Sequence, residues 1–343
     1  MLKNYFVSSL LLLISAVMLS AQDTAPVKQN PLHFPPQELG TQPPVLKGIM
    51  PLSEEELREG WFQLFDGISL FGWKTVDGQF IVRNGILMSN PKTSGLIRYN
   101  SKLINGTVSG QRRNANGQNT WTDFTMKSET EDAGKAGDWS ITLESGQYRD
   151  VRFKPAGLKN LFDGKTLNGW KINPNSKPET KATVEDGAIH LTGGSGSLET
   201  EESFADFILQ LEYKTDKPVN SGVFFRCIPG ELMNGYECQV FNHPPAGDYQ
   251  KFIGTDTGGI FRRQVGRNIG TEDGQWNFVT IFVRGQQITT WVNGVQTTDF
   301  VDERDANPNP RKGFRREAGT IQLQGHDPAT DIWFRNIKIT AIK

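Results

Sequence analysis

Short runs in which every second residue is apolar recur through this chain, and turn-forming pairs ending in glycine separate them. Asn84-Gly85, Asp186-Gly187, Arg284-Gly285 and Asn293-Gly294 each join two such runs. Asx-Gly pairs between alternating segments read as hairpin turns, because these tight turns need a positive φ that glycine and asparagine accept. No segment of the second half sustains a long apolar period of 3.6. Such a pattern specifies antiparallel sheets stacked in layers, so the expected class is all-β, a β-sandwich. The 36 glycines and 10% aromatic residues suit many turns and short strands.

The pattern is also duplicated. GWFQLFDGISLFGWK (60–74) and LKNLFDGKTLNGWK (158–171) share LFDG, a leucine and GW-Lys at matched spacing. Each copy continues into a hairpin signal, FIVRNGILMSN (80–90) and TVEDGAIHLTGG (183–194). TWTDFTMKSE (120–129) resembles QWNFVTIFVR (275–284), and KAGDWSITLE (135–144) resembles EAGTIQLQGH (317–326). Two related units follow, a shortened one over 58–157 and a full one over 158–343. Residues 22–57 are rich in proline and glutamine and read as a linker or arm. Within them, Ser53 followed by Glu54, Glu55 and Glu56 signals a short helix ending by Gly60. At the start, Lys3, the apolar run from Val7 to Leu19 and Ser20-Ala21 form a signal peptide over 1–21. The run is short for a membrane span and no cysteine follows it, so no transmembrane or lipid anchor is expected after cleavage. The expected address is periplasmic or extracellular. With 37 basic and 38 acidic residues the chain carries no nucleic-acid footprint. It has no GxSxG, HExxH, phosphate-binding loop or clustered Cys/His set.

The shorter unit has no counterpart of Asn220–His243, NSGVFFRCIPGELMNGYECQVFNH. This segment reads as two strands around a turn. Strict alternation puts Val223, Phe225, Cys227, Tyr236, Cys238 and Val240 on a core face, and Phe224, Arg226, Glu237, Gln239 and Phe241 on the other. The same rule sets Glu212, Gln324 and His326 opposite the apolar face of their own strands. A cation, carboxylates and amides on one sheet face suit a ligand rich in hydroxyls, and they equally describe a solvated face with an ion pair. Cys227 and Cys238 fall on adjacent core-facing strands, leaving open a disulfide or two buried thiols.

The second unit resembles the 3-keto-disaccharide hydrolase domain family, a bacterial group of exported sandwich domains. In order over 158–343 it carries LFDGKTLNGW, VEDGAIHLTGG, FADFILQLEYKT, NSGVFFR, NGYECQVFN, TGGIF, GQWNFVTIFVRGQQITTWVNG, GTIQLQGH and WFRNIKI. WVNG hairpins occur in many lectin-like sandwiches, so the specificity lies in the ordered set. The resemblance implies two concanavalin-like jelly-roll units, the first abbreviated, and hydrolysis of 3-ketoglycosides, with a carbohydrate as partner. A ketone at C3 acidifies the C2 proton, so a base can remove it. The C1 substituent then leaves and water adds to the unsaturated sugar.

Glu237 and Gln239 match the family's Glu-x-Gln strand, as base or metal ligand and as hydroxyl binder. His326, in LQGH, is the other acid, base or metal-ligand candidate. Arg226, closing NSGVFFR, is the candidate stabiliser of the enediolate, or a structural partner of Glu237. Gln239, Gln324, Glu212, Asn220 and His243 are the expected substrate contacts, and a divalent metal is a candidate cofactor. Two-carboxylate hydrolysis by Glu237 and Glu212 is the variant mechanism. A non-catalytic carbohydrate-binding module is the alternative function, and a cell-surface interaction domain a third.

Overall fold

The computed structural model describes residues 42–103, 105–128, 141–249 and 251–342. The expected signal peptide, residues 22–41 of the arm and the first six residues of KAGDWSITLE lie outside them. Helix α1, Glu54–Arg58, forms where the capping serine and the acidic first turn place it. Ser53 Oγ accepts from Glu56 N at 3.2 Å, and the Glu56 carboxylate accepts from Ser53 N at 2.8 Å, closing a capping box.

The first half contributes β1 (Phe62–Gln63), β2 (Trp73–Asp77), β3 (Phe80–Arg83), β4 (Ile86–Ser89), β5 (Leu96–Tyr99), β6 (Gly106–Arg113), β7 (Thr122–Ser128), β8 (Thr142–Glu144) and β9 (Gln147–Pro155). They form one sheet in the order β3-β4-β9-β6-β7, with β1 on β9, and a second, β2-β5-β8. The second half contributes β10 (Lys159–Asn160), β11 (Trp170–Ile172), β12 (Lys181–Glu185), β13 (Ala188–Thr192), β14 (Gly196–Thr200), β15 (Phe207–Thr215) and β16 (Ser221–Cys227). After it come β17 (Tyr236–Val240), helix α2 (Ala246–Tyr249), β18 (Asn277–Arg284), β19 (Gln287–Val292), β20 (Val295–Val301), β21 (Thr320–Gly325) and β22 (Asp331–Ala341). Their sheets run β12-β13-β22-β15-β18-β19-β20, with β10 on β22, and β11-β14-β21-β16-β17. The fold is an all-β sandwich. Without β16, β17, β19 and β20, the second half repeats the connectivity of the first strand for strand.

The two sheets of the second half enclose the main core. Leu198, Val223, Phe225, Tyr236, Cys238, Ile321 and Leu323 meet Leu209, Leu211, Tyr213, Val279, Ile281, Ile332 and Phe334. These are the inward positions of each alternating run, and burying such side chains stabilises the fold by ~1.5–3 kcal/mol apiece. The eight-stranded sheet is also covered on its other face. Ile208, Phe282 and Trp291 join Phe62, Trp73, Tyr99, Leu143 and Phe153 in a second core. Polar contacts reinforce it: Trp291 Nε1 donates to Gln63 O at 2.9 Å, Tyr99 Oη to Gln296 at 2.7 Å, and Gln210 Nε2 to Gly60 O at 3.0 Å. Glu212 belongs to this covered sheet. Arg335 donates to its carboxylate through Nε at 2.9 Å and Nη2 at 2.7 Å, and Asn336 Nδ2 donates at 2.5 Å.

Cys227 and Cys238 are buried and unbonded. Cys238 pairs across from Val223, four residues along β16 from Cys227. Four residues of strand span ~13 Å, beyond the ~7 Å that a disulfide tolerates between Cα atoms.

Candidate functional site

The site is built on the outer face of the five-stranded sheet. Register places Glu199, Gln322, Phe224 and Glu237 in one row across β14, β21, β16 and β17. The next row holds Ser197 and Gln324 on one side and Gly222 and Gln239 on the other. The turn between β16 and β17 closes over the β14 side. There Glu199 accepts from Asn173 Nδ2 at 2.8 Å, Gly230 N at 3.1 Å and Thr320 Oγ1 at 2.7 Å, and Gln322 bonds to Met233 N and Glu231 O. That half is satisfied scaffold.

The other half is open chemistry. Glu237 is buried, yet among the described residues no donor reaches its carboxylate. Burial pushes its pKa up to about 8, and the positive charges of Arg311 and Arg262 pull the other way. The side chain leans over Gly222, where a Cβ would lie 2.5 Å from Glu237 Oε1. Gly222 therefore leaves the space the carboxylate occupies, beside the Gln239 and Gln324 amides. Gln239 Nε2 donates to Asn220 Oδ1 at 2.9 Å, while the amide oxygens of Gln239 and Gln324 are buried and find no partner among the described residues. Such acceptors cost ~1–3 kcal/mol unless a hydroxyl or water answers them.

Two loops wall the carboxyl. Gly258–Phe261 runs along β17: Gln239 N donates to Gly259 O at 2.9 Å, Gly258 N to Gln239 O at 2.9 Å, and Phe261 N to Glu237 O at 3.0 Å. The chain then turns at Arg262, a non-glycine residue at φ 60, whose guanidinium packs 4.8 Å from the Phe252 ring and 5.4 Å from Phe261. Opposite lies the charged run 302–317. Arg304 forks onto Asp302 at 2.8 Å through Nε and Nη2, and Arg315 N donates to Tyr236 Oη at 3.0 Å. These anchors present Asn309–Lys312 to a cleft of about 430 Å³ shared with Phe224, Glu237, Phe261 and Arg262.

The other expected site residues stand elsewhere. Arg226 does not share the Glu237 face. A bulge between Phe224 and Cys227, with Arg226 at φ 49, breaks the alternation and turns its side chain into the protein. It is fully buried and donates to Ala205 O, Gly285 O, Arg315 O and Asp206 at 2.6–2.9 Å. Glu212 faces the first half from the other sheet, so it does not pair with Glu237 for two-carboxylate hydrolysis. His326 sits past the end of β21, half-exposed, with Nδ1 2.9 Å from Asp327 Oδ2. His243 is exposed and points to Asp273 at 3.8 Å. Arg262 and Arg311 escaped the strand argument because loop side chains follow no period. The φ > 0 at Arg262 is invisible in sequence, although the TGGIF motif immediately precedes that residue.

Among the described residues no three of His, Cys, Asp and Glu converge as a metal-ligand set. Guanidinium groups, not further carboxylates or imidazoles, act on Glu237. The residues present do not fit a divalent metal beside it.

A family model described as the 3-keto-alpha-glucoside-1,2-lyase-like domain matches residues 157–340, more than half of the chain. The chain belongs to this family. The matched lyase-like domain holds all of the five-stranded sheet and both loops around Glu237. The chain is similar to a 3-keto-disaccharide hydrolase of Bacteroides thetaiotaomicron, 26% identical over 234 residues that cover 54% of this chain and 79% of that protein. Two Parabacteroides distasonis proteins of known structure, each provisionally assigned as a glycosyl hydrolase, are also similar. One is 27% identical with a TM-score of 0.46, covering 54% of this chain and 99% of its own. The other is 22% identical with a TM-score of 0.45, covering 55% and 94%.

Gly222 offers a direct check on this geometry. Its backbone lies outside the left-handed region, and the three atoms nearest an added Cβ all belong to the Glu237 side chain. Gly222→Ala is expected to keep the fold at a cost of ~1–3 kcal/mol, and to lower turnover about 100-fold by displacing Glu237. Thermal melts and initial rates measured on the same sample check both.

Proposed function

We propose that this protein is a glycosidase-like enzyme acting on glycosides already oxidised to a ketone at C3. The observation that carries the reading is Glu237, a buried carboxyl with a pKa near 8 and, among the described residues, no hydrogen-bond donor. It faces a cleft inside the ~300–1,000 Å³ range of small-molecule sites. A general base works best when its pKa lies near the working pH.

In this reading Glu237 removes the C2 proton, and the electron pair moves into an enediolate on the C3 oxygen. Arg262 supplies the positive charge that stabilises it. As the enediolate collapses, C1=C2 forms and the C1–O bond breaks. The proton that the leaving oxygen takes comes from solvent water in the open cleft. Water then adds across C1=C2 to give the 3-keto sugar. The unpartnered amide oxygens of Gln239 and Gln324 accept from sugar hydroxyls.

The test is incubation with a 3-keto-disaccharide and its unoxidised parent in D₂O. Cleavage of the ketone with deuterium at C2 supports the reading, and cleavage of the parent alone overturns it. The pH profile adds a second check. Glu237 must be ionised to act as base, so kcat/KM is expected to rise about tenfold per pH unit and level off near pH 8. A fall through the same range would make Glu237 an acid.

A further inference from the structure

The LFDG motif occurs twice, and its aspartates do different things. Asp163 closes its turn by accepting from Lys165 N at 2.8 Å and Thr166 N at 2.7 Å, and stays at the surface. Asp66 closes the equivalent turn, accepting from Ile68 N at 2.9 Å and Ser69 N at 2.8 Å. It also takes a buried ion pair, with Arg267 Nη2 2.6 Å from its Oδ2 and the two side chains 6% and 5% exposed. A turn needs no such partner, as Asp163 shows.

Arg267 belongs to the loop that walls Glu237. Its Nη1 donates to Gln296 O at 3.2 Å, its guanidinium lies 4.5 Å from the Phe71 ring, and its backbone N donates to Thr297 O at 3.0 Å. Five residues upstream is Arg262, and the turn between them is tied back by Arg263 N and Gln264 N, which both donate to Ile260 O. Ile260 N donates to Gln264 O at 2.9 Å and Arg262 N to Ile253 O at 2.7 Å. Gly266 crosses Gly259 so closely that a Cβ would lie 2.8 Å from Gly259 N. Displacement at Arg267 is therefore transmitted to Gly259–Arg262.

We propose that Asp66, from the first half, is a positioning residue for the site in the second: through Arg267 it fixes the loop that holds Arg262 against Glu237. The catalytic roles in this statement rest on the proposed function, whereas the placement of Arg262 against Glu237 does not. The shortened repeat thereby acts as a clamp on the site loop.

The test reads Glu237 directly, by ¹³C NMR titration of glutamate-labelled protein, with Glu237→Gln to assign the signal. Asp66→Asn keeps a turn-capping oxygen and removes the charge. It is expected to release Arg262 and raise the Glu237 midpoint by about 0.5 unit. The rise of kcat/KM with pH moves by the same amount, and KM on the plateau changes little. Asp66→Asn/Arg267→Gln strands no buried charge and is expected to show the same shift if the single variant fails to fold. Asp163→Asn is the control and leaves the midpoint in place. A folded Asp66→Asn, or the double variant, with the wild-type midpoint overturns the proposal. Because the titration needs no substrate, it decides the clamp even if 3-ketoglycosides prove not to be cleaved.

Discussion

Glu237→Gln is expected to reduce turnover of a 3-ketoglycoside by about 10²–10⁴-fold while sugar binding persists. The amide keeps the shape over Gly222 and the cleft walls, and removes only the group proposed to take the proton. Calorimetric binding beside single-turnover rates separates the two outcomes. If both activity and binding survive, Glu237 is not the base, and a carbohydrate-binding module becomes the better account. The same variant carries a stability signature. The folded pKa of Glu237, near 8, lies above its ordinary 4.5, so the folded state holds this proton to higher pH than the unfolded chain. Stability is therefore lost as pH rises from about 4.5 to about 8. Glutamine removes that loss, so the variant should gain in melting temperature relative to wild type as pH rises, with the relative gain largest above pH 8.

Arg226→Met is expected to do the reverse, sparing the chemistry and damaging the fold. It deletes four donated hydrogen bonds and leaves Asp206, its ion-pair partner at 2.6 Å, without its cation. Breaking a buried pair from one side costs ~3–5 kcal/mol. Denaturant titration reads that loss directly. Protein that stays folded at low temperature should retain near-normal kcat, because the guanidinium reaches the β14–β15 link, the β18–β19 turn and the rim loop rather than the cleft. A variant of wild-type stability with no turnover would put Arg226 back into the reaction.

The contrast between these residues shows what period-two reasoning can see. Alternation identifies the inward rows of the core and puts Glu237, Gln239 and Gln324 on one outer face, because regular pleating obeys it. It fails at Arg226, where one residue with positive φ absorbs a bulge and reverses the side chain. It cannot tell which of two sheets an outward residue belongs to, and so it grouped Glu212 with residues across the core. The second cover of the eight-stranded sheet also lay beyond it, since Ile208 and Phe282 look like any outward positions until the first half packs on them. The duplication was legible from LFDG and GW-Lys, and so was the segment missing from the first copy. The ion pair joining Asp66 to a residue 201 positions away was not.

The backbone pairing of Gly258–Phe261 along β17 has a further consequence, for solubility. β17 is the last strand of its sheet. Uncovered, its free N–H and C=O groups would be a template for strand addition by another molecule. The loop that walls the carboxyl occupies those groups, so it also blunts the edge. Substitutions that loosen it to admit bulkier substrates would expose a sticky strand at the same time. In this protein, broadened specificity and a tendency to aggregate are tied to the same few hydrogen bonds.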